Sequence, residues 1–550
     1  MYEILNDILK RSIWEITLIF IVSLIAIILI GIYFPVLKVY YPVLYVFAVS
    51  LSLEVVFIKY YKLKNSLDKD LLYYISYLYS LSFSTYNIKN LLEMSIEEKR
   101  EFKEINSYME RVVNLVKKYN YTIPEAIRYV LPYVPKDNFR SFLERFATSI
   151  DIGEDISDFL YKEYENAIAV YEANYEKGLE NIRLLEDLIL SLISSTGFAF
   201  SLILFIPFLV NINLVILLSD FFIIFIVVNI LIYYVSKYYI PDDSIWSRSS
   251  EKPKEYKNII YMFYFLVLLS YFLFLILFLI TKIPFLASVA IAITPLTYVG
   301  YRMINLEKIL KNKENKFPAF FSSIIEYSQI FGNNQTKILD NVVMHDFGQL
   351  NEDIDKLRKR INITKNYEKS WSYFVGEIGS RLSERIIKVF ERILEYSGDT
   401  KKAGDMLYNI LIKIINLRTR KEQFISSLRG IVYGTYIAFV SILFIMLQIT
   451  YSMNQMFQGI STALGSTTIT QIGINLYTLN IPIVILNMYV FILSIIEAFI
   501  LSFTIKNIDG GSKFGAFMDI TILIWIAALL NIGIHYTFTY IFSGLSFVKL

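Results

Sequence analysis

The chain has no cysteine and only two histidines, His345 and His535, in 550 residues. Without cysteine there is no disulfide framework, thiolate metal site or cysteine nucleophile. Two histidines so far apart leave little basis for a histidine metal centre or a triad. There is no G-x-x-x-x-G-K-[ST], no H-E-x-x-H and no G-x-S-x-G, so P-loop hydrolysis and the common zinc and serine hydrolase sites are excluded. Paired acids such as Glu97-Glu98 and Asp242-Asp243 sit in polar surroundings and read as solvated faces. Charge is sparse at 19% of residues, and the net value of +3 is too small to argue for nucleic acid. Neither an enzyme nor a cofactor is expected.

What is abundant is apolar surface. Hydrophobic residues make up 55% of the chain, with 43 Tyr and 42 Phe, and mean hydropathy is +0.49. Nine runs qualify as membrane spans against the roughly 18 residues that separate a span from a buried core helix. They cover residues 14–34, 42–58, 188–210, 214–235, 259–280, 284–301, 431–450, 481–503 and 517–534. The first is too long for a signal-peptide core and lacks a small-residue cleavage site, so it reads as an anchor.

Charge orients the spans. Residues 59–187 and 302–430 hold most of it, whereas the loop 451–480 has no charged residue and is rich in Ser, Thr, Gln, Asn and Gly. The positive-inside rule then puts the N-terminus, both charged regions and the linker 237–258 in the cytoplasm. The chain divides into a span pair (1–58), a charged domain (59–187), a second span pair (188–236), the linker, a third pair (259–301), a second charged domain (302–430) and a three-span region (431–550).

Both charged regions show helical rather than strand periodicity. Phe139, Phe142, Leu143, Phe146, Ala147 and Ile150 form one apolar stripe. Asp137 is placed as its N-cap, and Thr122-Ile-Pro-Glu125 reads as a capping box. Leu382, Ile386, Val389, Phe390, Ile393 and Leu394 form the same stripe 247 residues on, and Gly153 and Gly398 mark a break after each helix. The expected fold is an all-α membrane protein of about nine spans with two repeated cytoplasmic helical bundles.

The two bundles differ in charge. Residues 59–186 carry 18 basic and 21 acidic side chains, and residues 302–429 carry 23 and 16. Lys356, Arg358, Lys359 and Arg360 cluster in the second, and Arg381, Arg385 and Arg392, beside Glu391, form another basic face. Anionic lipid at the inner leaflet and an acidic protein partner both fit such clusters. Asp220 and Glu497 are the deepest intramembrane acids, and Glu54 and Asp519 lie near span ends. A proton path is one reading of them; interhelical hydrogen bonding is the preferred one. Asp509-Gly510-Gly511-Ser-Lys513 lies between spans without the strand-loop-helix setting of a phosphate cradle, and reads as a tight turn.

The order span pair, helical domain, span pair resembles the F domain of type II secretion and type IV pilus assembly platforms. Doubled, with a ninth span, it resembles the longer archaeal platform of pili and the archaellum. The resemblance rests on Asp137 to Phe146 with Ile150-Asp-Ile-Gly153, on Val389-Phe-Glu-Arg392 with Gly398 and Leu407, and on Ile508 to Gly515 before the last span. It implies a protein without a catalytic site in the cell membrane. A hexameric secretion ATPase would bind its cytoplasmic face, pilin subunits would meet its spans, and it would assemble as a homodimer or higher. The lysine and arginine clusters, with Glu391, would be the ATPase-facing residues. The rival reading is a secondary transporter or channel, which would build its path from broken helices, such as spans interrupted by Pro207 or Pro295, and midplane polar groups.

Overall fold

Hydrocarbon offers no partner to a free backbone N–H or C=O, so a chain this apolar must satisfy its backbone internally, and helices do so within one segment. The computed structural model describes residues 67–544 except 69, 84–86, 97–101, 211, 239–243, 248–252, 281–282, 333, 396–398 and 465–482. Among the described residues the chain is all-helical; the one β-type contact is an isolated antiparallel bridge between Trp246 and Ser380.

The first charged region begins with α1 (70–82), α2 (Ile88–Ser95), α3 (Lys103–Tyr119), α4 (Ile123–Val130) and α5 (Asn138–Ile152). It ends in α6 (Ile156–Leu209), which continues into the third expected span; α7 (Leu214–Tyr238) and α8 (Lys254–Ile280) follow. The second charged region begins inside α9 (Phe285–Phe331) and continues through α10 (Gln335–Val342), α11 (Asn351–Thr364), α12 (Tyr367–Ile378) and α13 (Arg381–Glu395). Its last helix, α14 (Thr400–Leu464), runs on through the seventh expected span, and α15 (Ile483–Asp509) and α16 (Ala516–Gly544) close the chain. Moved by 247 residues, α2 falls on α10, α4 falls within α12, and α6 begins three residues inside α14.

The local signals act as expected. Glu125 N–H donates to Thr122 Oγ1 at 3.4 Å while Thr122 N–H donates to Glu125 Oε2 at 3.0 Å, which completes the capping box. Asp137 accepts from Arg140 N–H at 2.9 Å and starts α5. Gly153 ends that helix with φ +72°, a left-handed cap that costs glycine nothing. Gly398 lies outside the described residues.

Seven helices among the described residues are long and apolar enough to cross a membrane: α6, α7, α8, α9, α14, α15 and α16. They take in the third to ninth expected spans; the first two, at 14–34 and 42–58, lie outside the described residues. Several far outrun their spans. At about 1.5 Å per residue the 65 residues of α14 extend roughly 100 Å, against about 30 Å of hydrocarbon.

The buried side chains form two large cores. One is intramembrane in character and gathers α6, α7, α14, α15 and α16 around Phe200, Phe225, Tyr436, Phe439 and Leu493. The other holds both charged regions together. Phe139, Phe142 and Phe146 of the first and Phe317, Phe320, Phe374 and Ile386 of the second belong to one contiguous cluster. The sequence division at 59–187 and 302–430 therefore separates chain segments that share a single core. Arg385 pairs with Asp70 and stacks on Tyr73 at 4.5 Å across the boundary. Further along α6 and α14, Lys413 reaches Glu172 at 3.2 Å, Arg420 reaches Glu176 at 2.9 Å, and Arg183 lies 4.9 Å over Phe424.

Candidate functional site: a polar junction between the two cores

Glu307 and Glu314 are seven residues apart, two turns along one face of α9, on the stretch of that helix beyond its expected span. The chain brings three other elements to this face. The last turn of α15 supplies Lys506 and Asp509, α14 supplies Arg418 and Glu422 about a third of the way along it, and the linker supplies Ser244 to Ser247.

Lys506 Nζ lies 3.0 Å from Glu307 Oε2 and 2.8 Å from Asp509 Oδ2. Glu307 also accepts from Ser512 N–H and from Trp246 Nε1–H, the latter at 3.4 Å. Lys311 extends the cluster to Glu422 at 2.8 Å and Asp509 at 3.4 Å. Glu314 accepts from Ser380 Oγ–H and from the Arg418 guanidinium. Buried charges cost several kcal/mol each unless paired and hydrogen-bonded; here the buried carboxylates Glu307, Glu314 and Asp509 each have at least two donors.

The linker is strapped into this cluster by its backbone. Ile245 N–H donates to Gly510 O at 3.3 Å, Arg381 N–H donates to Ile245 O at 2.9 Å, and Ser247 N–H donates to Gly379 O at 2.8 Å. Ser247 Oγ–H donates to Glu384 at 2.9 Å, and Arg381 Nη1 donates to the same carboxylate at 2.8 Å. Trp246 and Ile245 join Val299, Met303 and Leu310 in a small apolar core beneath. Glycine is required at one point of the turn after α15: a Cβ on residue 511 would sit 2.6 Å from Glu307 Oε1. Gly510 has φ +74°, so both glycines of the expected tight turn are used.

The arrangement is a joint, fastening α9, α14, the α15–α16 turn, the linker and the start of α13 at one place.

The basic clusters are not free charge. Lys356 pairs with Glu352 at 2.6 Å, Lys359 and Arg358 pair with Asp355 at 2.6 and 2.9 Å, and Arg360 holds Glu377 and stacks on Tyr373. Asp353 on the same helix is tied to Lys313 at 2.6 Å; burial pushes its carboxyl up, and the ammonium pulls it back. Arg381 and Arg385 require correction as surface residues. Their side chains are 7% and 14% exposed and spent on Glu384 and Asp70, because the polar face of α13 is covered by the linker and by α1. Arg392 and Glu391 are half-buried and engaged with neighbours.

Of the membrane acids, Glu497 is 1% exposed in α15, beside Asn229 of α7 and Tyr436 of α14. Asp220 is half-buried and partnered. Asp519 accepts from Tyr433 Oη–H at 2.8 Å, with Arg429 at 3.6 Å. Glu54 lies outside the described residues. The junction residues Glu307, Glu314, Trp246 and Arg418 escaped the sequence reading. Two signals pointed to them: acids at i and i+7 on a helix leaving a span, and an Ile-Trp pair inside a polar linker.

No family model matches the chain, and no solved structure matches it significantly. Two curated proteins do. The chain is 29% identical over 476 residues, 85% of its length and 84% of the relative's, to flagella accessory protein J of Methanocaldococcus jannaschii. It is 27% identical over 481 residues, 85% of each length, to the protein of the same name from Methanococcus voltae.

Proposed function

We propose that the chain is the membrane platform of an archaellum-type filament assembly machine, coupling a cytoplasmic hexameric secretion ATPase to the entry of single-span, pilin-like subunits into the filament base. The similarity to two flagella accessory proteins over 85% of the chain is the observation that carries the reading. The fold suits it, because α6 and α14 pass without interruption from the shared core of the charged regions into the membrane core. On this reading the charged regions are two copies of one helical unit and face the cytoplasm with the N-terminus. The platform performs no chemistry of its own and works as a homodimer or larger assembly.

The test is deletion of the gene in its native cell, followed by complementation. Loss of surface filaments, with subunits still made and processed, is expected, and so is co-purification of the ATPase with the full chain. Normal filaments in the deletion strain would overturn the role. Orientation is read by single cysteines in this cysteine-free chain. Ser107→Cys and Ser372→Cys, both exposed, should resist a membrane-impermeant reagent on intact cells, and Met456→Cys should react. The reverse pattern would invert the topology.

A further inference from the structure

Exposed rings on the spans need no explanation beyond lipid. Those on a charged region do. At the corner where α3 meets α4, Tyr119, Tyr129 and Tyr133 are 68%, 56% and 43% exposed and line one groove with Arg111 and Asn114. Asn120, in left-handed conformation at φ 54°, turns the chain there, and Tyr121 packs 6.1 Å from Tyr129 at its edge. No carboxylate lines the groove. Among the described residues Arg111 in its lining, and the exposed Lys118 next to Tyr119 and Lys136 three residues after Tyr133, have no acidic partner. This is the reverse of the second charged region, where Lys356, Arg358, Lys359 and Arg360 are each paired with a carboxylate.

The groove is not a by-product of the helical unit. At an offset of 247 residues the three tyrosines correspond to Asn366, Gly376 and Ser380, and Ser380 is buried beneath the linker. Tyrosine and arginine are the side chains that most often anchor protein interfaces, because they bury large rigid area with a polar tip. The uncompensated cations set the sign of the partner. A polynucleotide would face the net negative charge of this region, so a short segment of modest negative charge fits better.

We infer that this tyrosine groove is a docking site for an acidic segment carrying one apolar or aromatic anchor, displayed by a water-soluble partner protein. The anchor lies against Tyr129 and Tyr133, and the flanking carboxylates meet Lys118, Lys136 and Arg111. The inference rests on the groove alone and does not depend on the platform reading.

The experiment uses the full chain in detergent and a fluorescent peptide of glutamates around a central Leu-Trp pair. A glutamine version, a single-stranded oligonucleotide and phosphatidylglycerol vesicles serve as competitors. The acidic peptide should bind at least about tenfold more tightly than the glutamine version, as loss of about 1.4 kcal/mol would require. Tyr129→Ala with Tyr133→Ala should weaken binding about tenfold or more, and Tyr→Phe at both should not. Lys118→Gln with Lys136→Gln, both at exposed positions, should weaken it several-fold and flatten its salt dependence. Equal binding of the two peptides, unchanged affinity in either double variant, or stronger competition by the oligonucleotide or the vesicles would overturn the proposal.

Discussion

Lys506 and Glu307 meet at 3.0 Å with 3% and 4% of their side chains exposed, 199 residues apart in the chain. The pair ties the end of α15 to α9; without Glu307, Lys506 keeps Asp509, whereas without Lys506, Glu307 keeps only the neutral donors Ser512 N–H and Trp246 Nε1–H.

Lys506→Met should therefore destabilise the protein by about 3–5 kcal/mol, and Glu307→Gln by about 1.5–3 kcal/mol, since Lys506 keeps Asp509. The double variant should lose less than the sum, since the interaction between the two side chains is then lost once and not twice. Thermal unfolding of the purified proteins in detergent measures all three; additive losses would show that the two side chains do not interact. Gly511→Val should resemble the single variants, because its side chain would displace the Glu307 carboxylate.

Arg385→Met should loosen the contact between the two charged regions, leaving Asp70 without its guanidinium and Tyr73 without its stacked cation. A loss of about 3 kcal/mol is expected. Hydrogen exchange should quicken in α1 and α13 together while the membrane helices stay protected. Acceleration in α13 alone would mean that the regions do not depend on this pair.

Gly153→Val tests the first turn. Nothing lies within 4 Å of a Cβ there, so the penalty is backbone strain at φ +72° and not collision. About 1–2 kcal/mol is expected, with Gly153→Asn milder because asparagine tolerates that conformation. Equal stability of the valine variant and the parent, by thermal unfolding, would show that the turn relaxes.

Lys356→Gln with Lys359→Gln removes two exposed cations already paired with Glu352 and Asp355. Exposed pairs are worth under about 1 kcal/mol, so on the platform proposal association of the full chain with a secretion ATPase should change by less than about fivefold. Complete loss in pull-down across a salt series would restore this cluster as the docking surface.

Glu497→Gln and Asp220→Asn keep size and hydrogen bonding but remove charge. Filament counts by electron microscopy should be close to normal if these acids serve packing between helices. Abolition of filaments by both, with the protein still in the membrane, would favour an ion-coupled machine.

Local signals were legible in the sequence. The capping box at Thr122, the cap at Asp137 and the stripes through Phe139 and Ile386 depend on neighbours within a few residues, and each stands where its spacing put it. Pairings over long separation were not. Nothing near Asp70 announces Arg385, and nothing near Lys506 announces Glu307. The cluster at Lys356 is a different case: its acids, Glu352 and Asp355, stand three and four residues before their partners on the same helix. That spacing was readable, and a count of net charge passes over it. Arg381 and Arg385 occupy the polar face of an amphipathic helix, which periodicity alone assigns to solvent; the linker and α1 cover it instead.

The length of α14 has a geometric consequence. With the joint at Arg418 and Glu422 about a third of the way along it, this helix has the proportions of a rod on a fulcrum, with α6 bound alongside. Its outer end, Leu464, lies 42 residues beyond Glu422, roughly 60 Å along the axis. Each degree of tilt at the joint sweeps that end through about 1 Å. A rocking of the charged regions too small to disturb a single buried pair would thus become a displacement as large as a helix turn at the opposite face of the bilayer.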